Sequence, residues 1–250
     1  MEAKDIFKME MYKNFRDKPY LIMIAILTAL SAIVSVIGAF LLETNLFWER
    51  DPFLELLFVI FLVLLWFTLV GGGIFYLLYP FRLLSIDYQN KVMSLKFASG
   101  VSRINYYFIK IGATMLSCFI VAAIISFIPM MTFLVIMQDY FVDFVTYFIY
   151  EAFTSWYIIP FILSAILGLI QALIVLMASV IITKGKIVGI FLFIAFSFGI
   201  SIVHSIITTP LWIIHDMNYA FQLWAGMVLS LITIALFILI GIHVLKNQDL

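Results

Sequence analysis

Six stretches of this 250-residue chain are each long and apolar enough to cross a lipid bilayer, and no other feature constrains the fold as tightly. Crossing a bilayer core takes about 20 helical residues. The blocks fall at about 20–42, 53–78, 105–128, 158–183, 187–207 and 224–245, with Pro129 expected to break or redirect the third. The runs are continuous rather than alternating, which selects helices over a β-barrel, the two architectures that satisfy backbone polar groups in hydrocarbon. With 66% hydrophobic and 11% charged residues, the chain carries more apolar surface than a water-soluble fold could hide. The first block lacks the short apolar core and small-residue cleavage pattern of a signal peptide and reads as a retained span. The expected fold is all-α: a polytopic membrane protein with six transmembrane helices in one domain over residues 20–250.

Charge sets the orientation. Lysine and arginine collect on the cytoplasmic side of membrane proteins. Lys4, Lys8, Lys13, Arg16 and Lys18 precede the first span, and Arg82, Lys91, Lys96, Arg103 and Lys110 lie between spans two and three or in the first turns of span three. Lys184 and Lys186 separate spans four and five, and Lys246 follows span six. Only Arg50 of the 14 basic residues falls on the other side, among Glu43, Glu49, Asp51 and Glu55; the remaining outer connections carry Asp139, Asp143, Glu151 and Asp216. Both termini are therefore expected in the cytoplasm, N-in and C-in, of a cell membrane, taken as a bacterial plasma membrane. No soluble basic domain exists to bind nucleic acid. The single cysteine, Cys118, reads as a packing residue within span three.

The connections are informative. In residues 1–19 a helix would place Ala3, Phe7, Met11 and Phe15 on one stripe, with Glu2, Asp5, Glu10, Lys13, Arg16 and Asp17 largely opposite. Such a helix would lie along the cytoplasmic membrane face until Pro19 turns the chain into span one. Residues 84–100 are expected to form a short cytoplasmic helix, ended by Gly100, with Ser102 capping the next helix. On the outer side, residues 140–157 and 208–223 are rich in aromatics and suit helix-anchoring interfacial belts, with an exit surface as the sharper reading. Gly71, Gly72 and Gly73 in span two permit close helix approach or a hinge.

Several chemistries are disfavoured. The middle of each span lacks Asp, Glu, Lys and Arg, unlike the proton and ion pathways of coupled transporters and channels. Gln171 is the clearest mid-span polar residue, and His204, His215 and His243 are too scattered to suggest a metal site. There is no H-E-x-x-H, no G-x-S-x-G and no G-x-x-x-x-G-K-[ST], so no catalytic residue, cofactor site or nucleotide site is expected in this chain.

The inner connection resembles that of ABC-2-type transporter permeases, the six-span membrane subunits of ABC exporters. The matching pattern is Asp87, Leu95, Ser99-Gly100, Ser102-Arg103 and Lys110, seven residues after the arginine. It covers about 25 residues in motif and the whole chain in topology; Asn90-Lys91-Val92 departs from the glycine-threonine pair common in the family. The resemblance implies a permease that pairs with a second membrane subunit, identical or related, and with cytoplasmic ATPases that bind ATP and Mg. Residues 84–100 would be the coupling helix. Asp87, Leu95, Phe97, Ser102, Arg103 and Lys110 would serve ATPase coupling, and the three glycines would serve as a hinge. A hydrophobic or amphipathic substrate, such as an antimicrobial-type peptide, fits the aromatic outer surface. The competing reading is a non-transporting integral membrane immunity or scaffold protein.

Overall fold

The computed structural model describes residues 3–43, 52–90, 92–98, 100–136, 142–143, 145–147, 149–150, 158–214 and 219–248. Among them the ordered elements are helices: α1 (Ala3–Asn14), α2 (Lys18–Glu43), α3 (Pro52–Gln89), α4 (Val92–Ala98), α5 (Arg103–Ile136), α6 (Ile158–Ile182), α7 (Val188–Ile214) and α8 (Tyr219–Asn247). Six of them, α2, α3 and α5–α8, are long and apolar enough to cross a membrane. Their exposed surfaces carry large apolar groups such as Trp66, Phe67, Phe191 and Phe198, a distribution suited to lipid. The chain is a multi-pass membrane protein. Arg50 and the acids Glu49, Asp51, Asp139, Glu151 and Asp216 lie outside the described residues, as does His215. Of the 140–157 segment, the described residues are helical.

Three boundaries differ from those expected. Span two does not stop near residue 78; α3 runs on to Gln89 as one helix through Pro80. The helix expected over 84–100 is therefore divided, its first part belonging to α3 and the rest forming the seven-residue α4. Span three is not broken at Pro129, because α5 continues to Ile136. A proline lacks the N–H that would bond the carbonyl four residues back, here that of Ile125. Ser31 of α2 shares its hydroxyl proton between that carbonyl, at 3.2 Å, and the Thr28 carbonyl, at 2.9 Å. Ser35 donates to the Pro129 carbonyl at 3.0 Å. The neighbouring helix thus supplies polar partners where the proline removes one, as buried proline-containing spans require.

The chain divides into two compact units, one of residues 1–10, 80–115 and 148–250, the other of residues 11–79 and 116–147. In the second, α2 packs on α3 through Tyr20, Phe75 and Tyr79, whose rings stand 5.2–6.4 Å apart. Asn14 donates to Ser117 Oγ at 2.9 Å. Gly38 lets the Phe61 ring come so close that a Cβ there would stand 3.0 Å from it. The glycine triplet is different. A Cβ at Gly72 or Gly73 would meet nothing within 4 Å, and one at Gly71 only Leu27 at 3.7 Å, so close packing within the chain does not account for them.

In the first unit α6 is the central helix, packed against both α7 and α8. Every residue from Ile174 to Ile181 is buried, an all-round burial that explains the apolar, small-residue sequence of this half. The helix ends in a Schellman turn: Lys184 N–H bonds the Ile181 carbonyl at 3.2 Å and Gly185 N–H the Val180 carbonyl at 2.8 Å. Lys184 and Gly185 both take positive φ, 52° and 71°. A Cβ on Gly185 would also stand 2.7 Å from Tyr88 Cβ, a rigid atom near the end of α3. Gly185→Ala is expected to cost about 2–4 kcal/mol, combining left-handed strain with overpacking. An SDS titration followed by circular dichroism should show an earlier unfolding midpoint; an unchanged midpoint contradicts this packing.

Candidate functional site

The ends of α3, α6 and α8 and the starts of α5 and α7 gather with α4 at one end of the first unit, and there a closed ring of charge is buried. Four elements each supply part of it. Glu10 comes from α1, Asp87 from the last turn of α3, Lys96 from α4, and Lys110 from the second turn of α5. Glu10 and Asp87 are wholly buried, Lys110 is 1% exposed and Lys96 9%. Lys96 bonds Glu10 Oε1 and also Asp87 Oδ2, the latter at 2.9 Å. Lys110 bonds Glu10 Oε2 at 2.5 Å and Asp87 Oδ2 at 3.2 Å. Each ammonium therefore touches both carboxylates, and the four formal charges cancel.

Aromatic groups close the ring. Tyr106, one turn before Lys110 on α5, donates its hydroxyl to Asp87 Oδ2 at 2.6 Å. Its ring lies 5.2 Å from Lys96 Nζ and meets Phe97 edge-on at 5.4 Å. Burial alone pushes the Lys96 ammonium down, but Asp87 and then Glu10 outweigh it and hold it above the ordinary lysine value. The local sequence explains the delivery. Ile6, Glu10 and Asn14 recur every four residues and form the buried face of α1. Tyr106, Lys110, Ala113, Ser117 and Val121, three or four residues apart, form the buried face of α5.

Beside the ring, Arg103 fixes the end of α8. Its Nη1 points into the carbonyls of Leu245 (2.7 Å), Lys246 (2.8 Å) and Gln248 (3.0 Å). Those are carbonyls a helix C-terminus leaves unpaired, and a cation suits that end of the helix dipole. Gln248 in turn donates to the Ile181 carbonyl at 2.5 Å and accepts from Tyr88 at 3.1 Å, joining α8 to α6 and α3. Gly100, at φ 88°, ends α4 with paired bonds from Gly100 N–H to Phe97 and from Val101 N–H to Lys96. Ser102 Oγ then accepts the Asn105 N–H at 3.2 Å and caps α5.

The residues expected to serve coupling thus separate into two groups. Asp87 and Lys110 are interior, Phe97 is half-buried against Tyr106 with Arg103 5.5 Å from its ring, and Arg103 holds the α8 tail. Leu95, 68% exposed, and Ser102 face outward. The expected polar side of α1 is corrected: Glu10 was assigned there, yet it is the most buried residue of that helix, because two ammonium groups offset its charge. The buried face runs through Ile6 and Asn14, with Phe7, Met11 and Phe15 only half-buried beside it. Sequence reasoning also missed Lys96 and Tyr106 as partners of Asp87. The available signal was a glutamate one turn from Ile6 and one turn from Asn14. No group of metal-binding side chains occurs among the described residues.

No family model, curated protein or solved structure matches the chain.

Removing one member leaves an unpaired buried charge, which costs about 3–5 kcal/mol. Asp87→Leu should therefore lower stability by that order, read as the SDS unfolding midpoint. Lys96 gives a pH test. Its pKa is raised on folding, so its contribution is complete at neutral pH, below the unfolded value, and is lost as pH rises through the folded one. A wild-type protein should lose more stability than Lys96→Met across that alkaline window; parallel losses contradict the ring.

Proposed function

We propose that this chain is the permease subunit of an ATP-driven exporter of the ABC-2 type. In this reading its basic end lies in the cytoplasm and its motor is a separate ATPase that binds ATP and Mg. The observation that carries the reading is the construction of α4. One side of this short helix is fastened by Lys96 to Asp87 and Glu10, while Leu95 on another side is 68% exposed. An exposed apolar side chain on a firmly held short helix suits docking by a soluble partner. A push on α4 would reach α3 through Asp87, α1 through Glu10 and α5 through Lys110, which share the ring.

Other features fit the same reading. The described basic residues Arg82, Lys96, Arg103 and Lys110 make their contacts with α3, α4, α8 or α1, at one end of that unit. By the positive-inside rule this end is cytoplasmic. The residues that carry the family resemblance, Asp87, Arg103 and Lys110, would then keep the coupling platform rigid rather than touch the ATPase. The glycine triplet would let α3 flex. A second permease subunit, a copy or a relative, would complete the pathway for a hydrophobic or amphipathic substrate such as an antimicrobial-type peptide.

Purification in mild detergent from native membranes, with mass spectrometry of co-purifying proteins, tests this. A soluble subunit with a Walker A sequence is expected to accompany the wild-type chain and to be lost from Leu95→Glu. Because Leu95 is exposed, that variant should stay within about 0.5 kcal/mol of wild-type stability. Recovery of the chain alone, repeatedly and in nanodiscs, would instead favour a non-transporting immunity or scaffold protein.

A further inference from the structure

Hydroxyl side chains inside apolar helices commonly satisfy themselves by bonding the carbonyl one turn back. This chain follows the rule at Thr28, Thr68, Thr132, Ser179, Thr183 and Thr233, and at Thr208 on the cavity described next. A group of residues on α6, α7 and α8 departs from it. Ser164 and Gln171 of α6, Ser197, Ser201 and Ser205 of α7, and Ser230 of α8 make no side-chain hydrogen bond with any described residue. All six line one cavity of about 380 Å³. His204 lies on its wall, with Nε2 3.4 Å from Thr233 Oγ1.

The lining is unusual for this chain in two ways. Among the described residues its lining has no Asp, Glu, Lys or Arg, and no Phe, Tyr or Trp, although the sequence holds 26 Phe and 12 Tyr. Gly168, Ala172 and Gly226 keep the walls low. At about 1.5 Å per residue, Gln171 lies about 16 Å along α6 from the α6–α7 turn, and Thr208 about 30 Å along α7. The cavity thus starts near the middle of the spans and extends away from the charge ring. Polar groups cost free energy in hydrocarbon, and a cluster of them usually faces a polar partner.

The chemistry of the wall limits the partner. Hydroxyls and a carboxamide both donate and accept, so they suit an uncharged group that does the same. Among the described lining residues no Asp, Glu, Lys or Arg is present to neutralise a formal charge. The volume is that of a small-molecule pocket, and a helix about 10 Å across would not enter it. The flank of α7 indicates what carries the group. Ser197, Ser201 and Ser205 turn into the cavity, while the adjacent stripe of Phe198, Ile202 and Ile206 is exposed and apolar. Two stripes side by side, one polar and lining the cavity and one apolar and outward, match a molecule with a polar head and a hydrocarbon tail.

We infer that this cavity is a binding site for a lipid-type amphiphile with an uncharged, hydroxyl-bearing headgroup. The head occupies the space bounded by Gln171, Ser201, Ser205 and Ser230, and the acyl chain lies along Phe198, Ile202 and Ile206. This inference is independent of whether an ATPase binds α4.

Native mass spectrometry of the full chain in detergent, with equal concentrations of 1-monooleoylglycerol, oleic acid and oleylamine, tests it. The three share a chain and differ in headgroup. The monoglyceride should be retained in preference to both charged amphiphiles. Ser201→Phe, which fills the cavity from an exposed position, and the double variant Gln171→Leu with Ser205→Val should each retain about tenfold less of it, the expected effect of losing one or two hydrogen bonds. Phe191→Leu, on an exposed face outside the cavity, should retain it as wild type does. Circular dichroism melts establish that each variant is folded, and the headgroup comparison on the wild-type chain needs no variant. Equal retention of the three amphiphiles, no retention of the monoglyceride, or undiminished retention by folded Ser201→Phe overturns the inference.

Discussion

A charge taken out of water must be neutralised where it stands, and this constraint organises one end of the first unit. The cost of moving a lone ammonium or carboxylate into a low-dielectric interior is several kcal/mol even after relaxation. Glu10, Asp87, Lys96 and Lys110 meet that cost only as a set, because each carboxylate is held by both ammonium groups. Four apolar residues of the same volume would stabilise the fold as well. What the ring adds is specificity: α1, α3, α4 and α5 have one mutual arrangement in which no buried charge is left alone. A shift of any of the four by a turn would separate a pair.

The same logic, applied to neutral polar groups, accounts for other features. Pro129 removes an N–H and Ser31 reaches across to the affected carbonyl. The C-terminal carbonyls of α8 have no helix partner and Arg103 supplies one. The end of α6 turns through Lys184 and Gly185 because a Schellman turn bonds carbonyls that would otherwise be buried unpaired. Against this background the α6–α7–α8 cavity stands apart, since Ser164, Gln171, Ser197, Ser201, Ser205 and Ser230 on its wall make no side-chain hydrogen bond with any described residue.

Much of this was legible in the chain and some was not, for physical reasons. Continuous apolar runs of bilayer length fixed the number and type of the spans, because that signal accumulates over 20 or more residues. Helix ends were less legible. Proline is a helix breaker in water, but in a span its missing bond can be replaced from a neighbouring helix, as at Pro129 and Ser31, and no local pattern announces that. Asp87 and Lys110 were singled out by the family resemblance of the inner connection. Glu10 was not, because Asp5, Lys13 and Arg16 on the same side of the helix suggest a solvated face. Its burial depends on Lys96 and Lys110, which are distant in sequence. Gly185 was passed over for the same reason, as its value lies in the proximity of Tyr88.

Coupling through α4 would require the ring to act as one unit, a platform rigid enough that what happens at α4 is felt by α1, α3 and α5. The most direct measurement is a double-mutant cycle on Glu10→Gln and Lys110→Met, with unfolding midpoints read in SDS. If the ring is a unit, each single change strands a partner and is costly, while the double change removes a neutral pair and costs much less than the two together. A coupling of more than about 1 kcal/mol is expected for groups in one network. Additive losses would mean that the four residues are stabilised separately and that the ring does not join the helices.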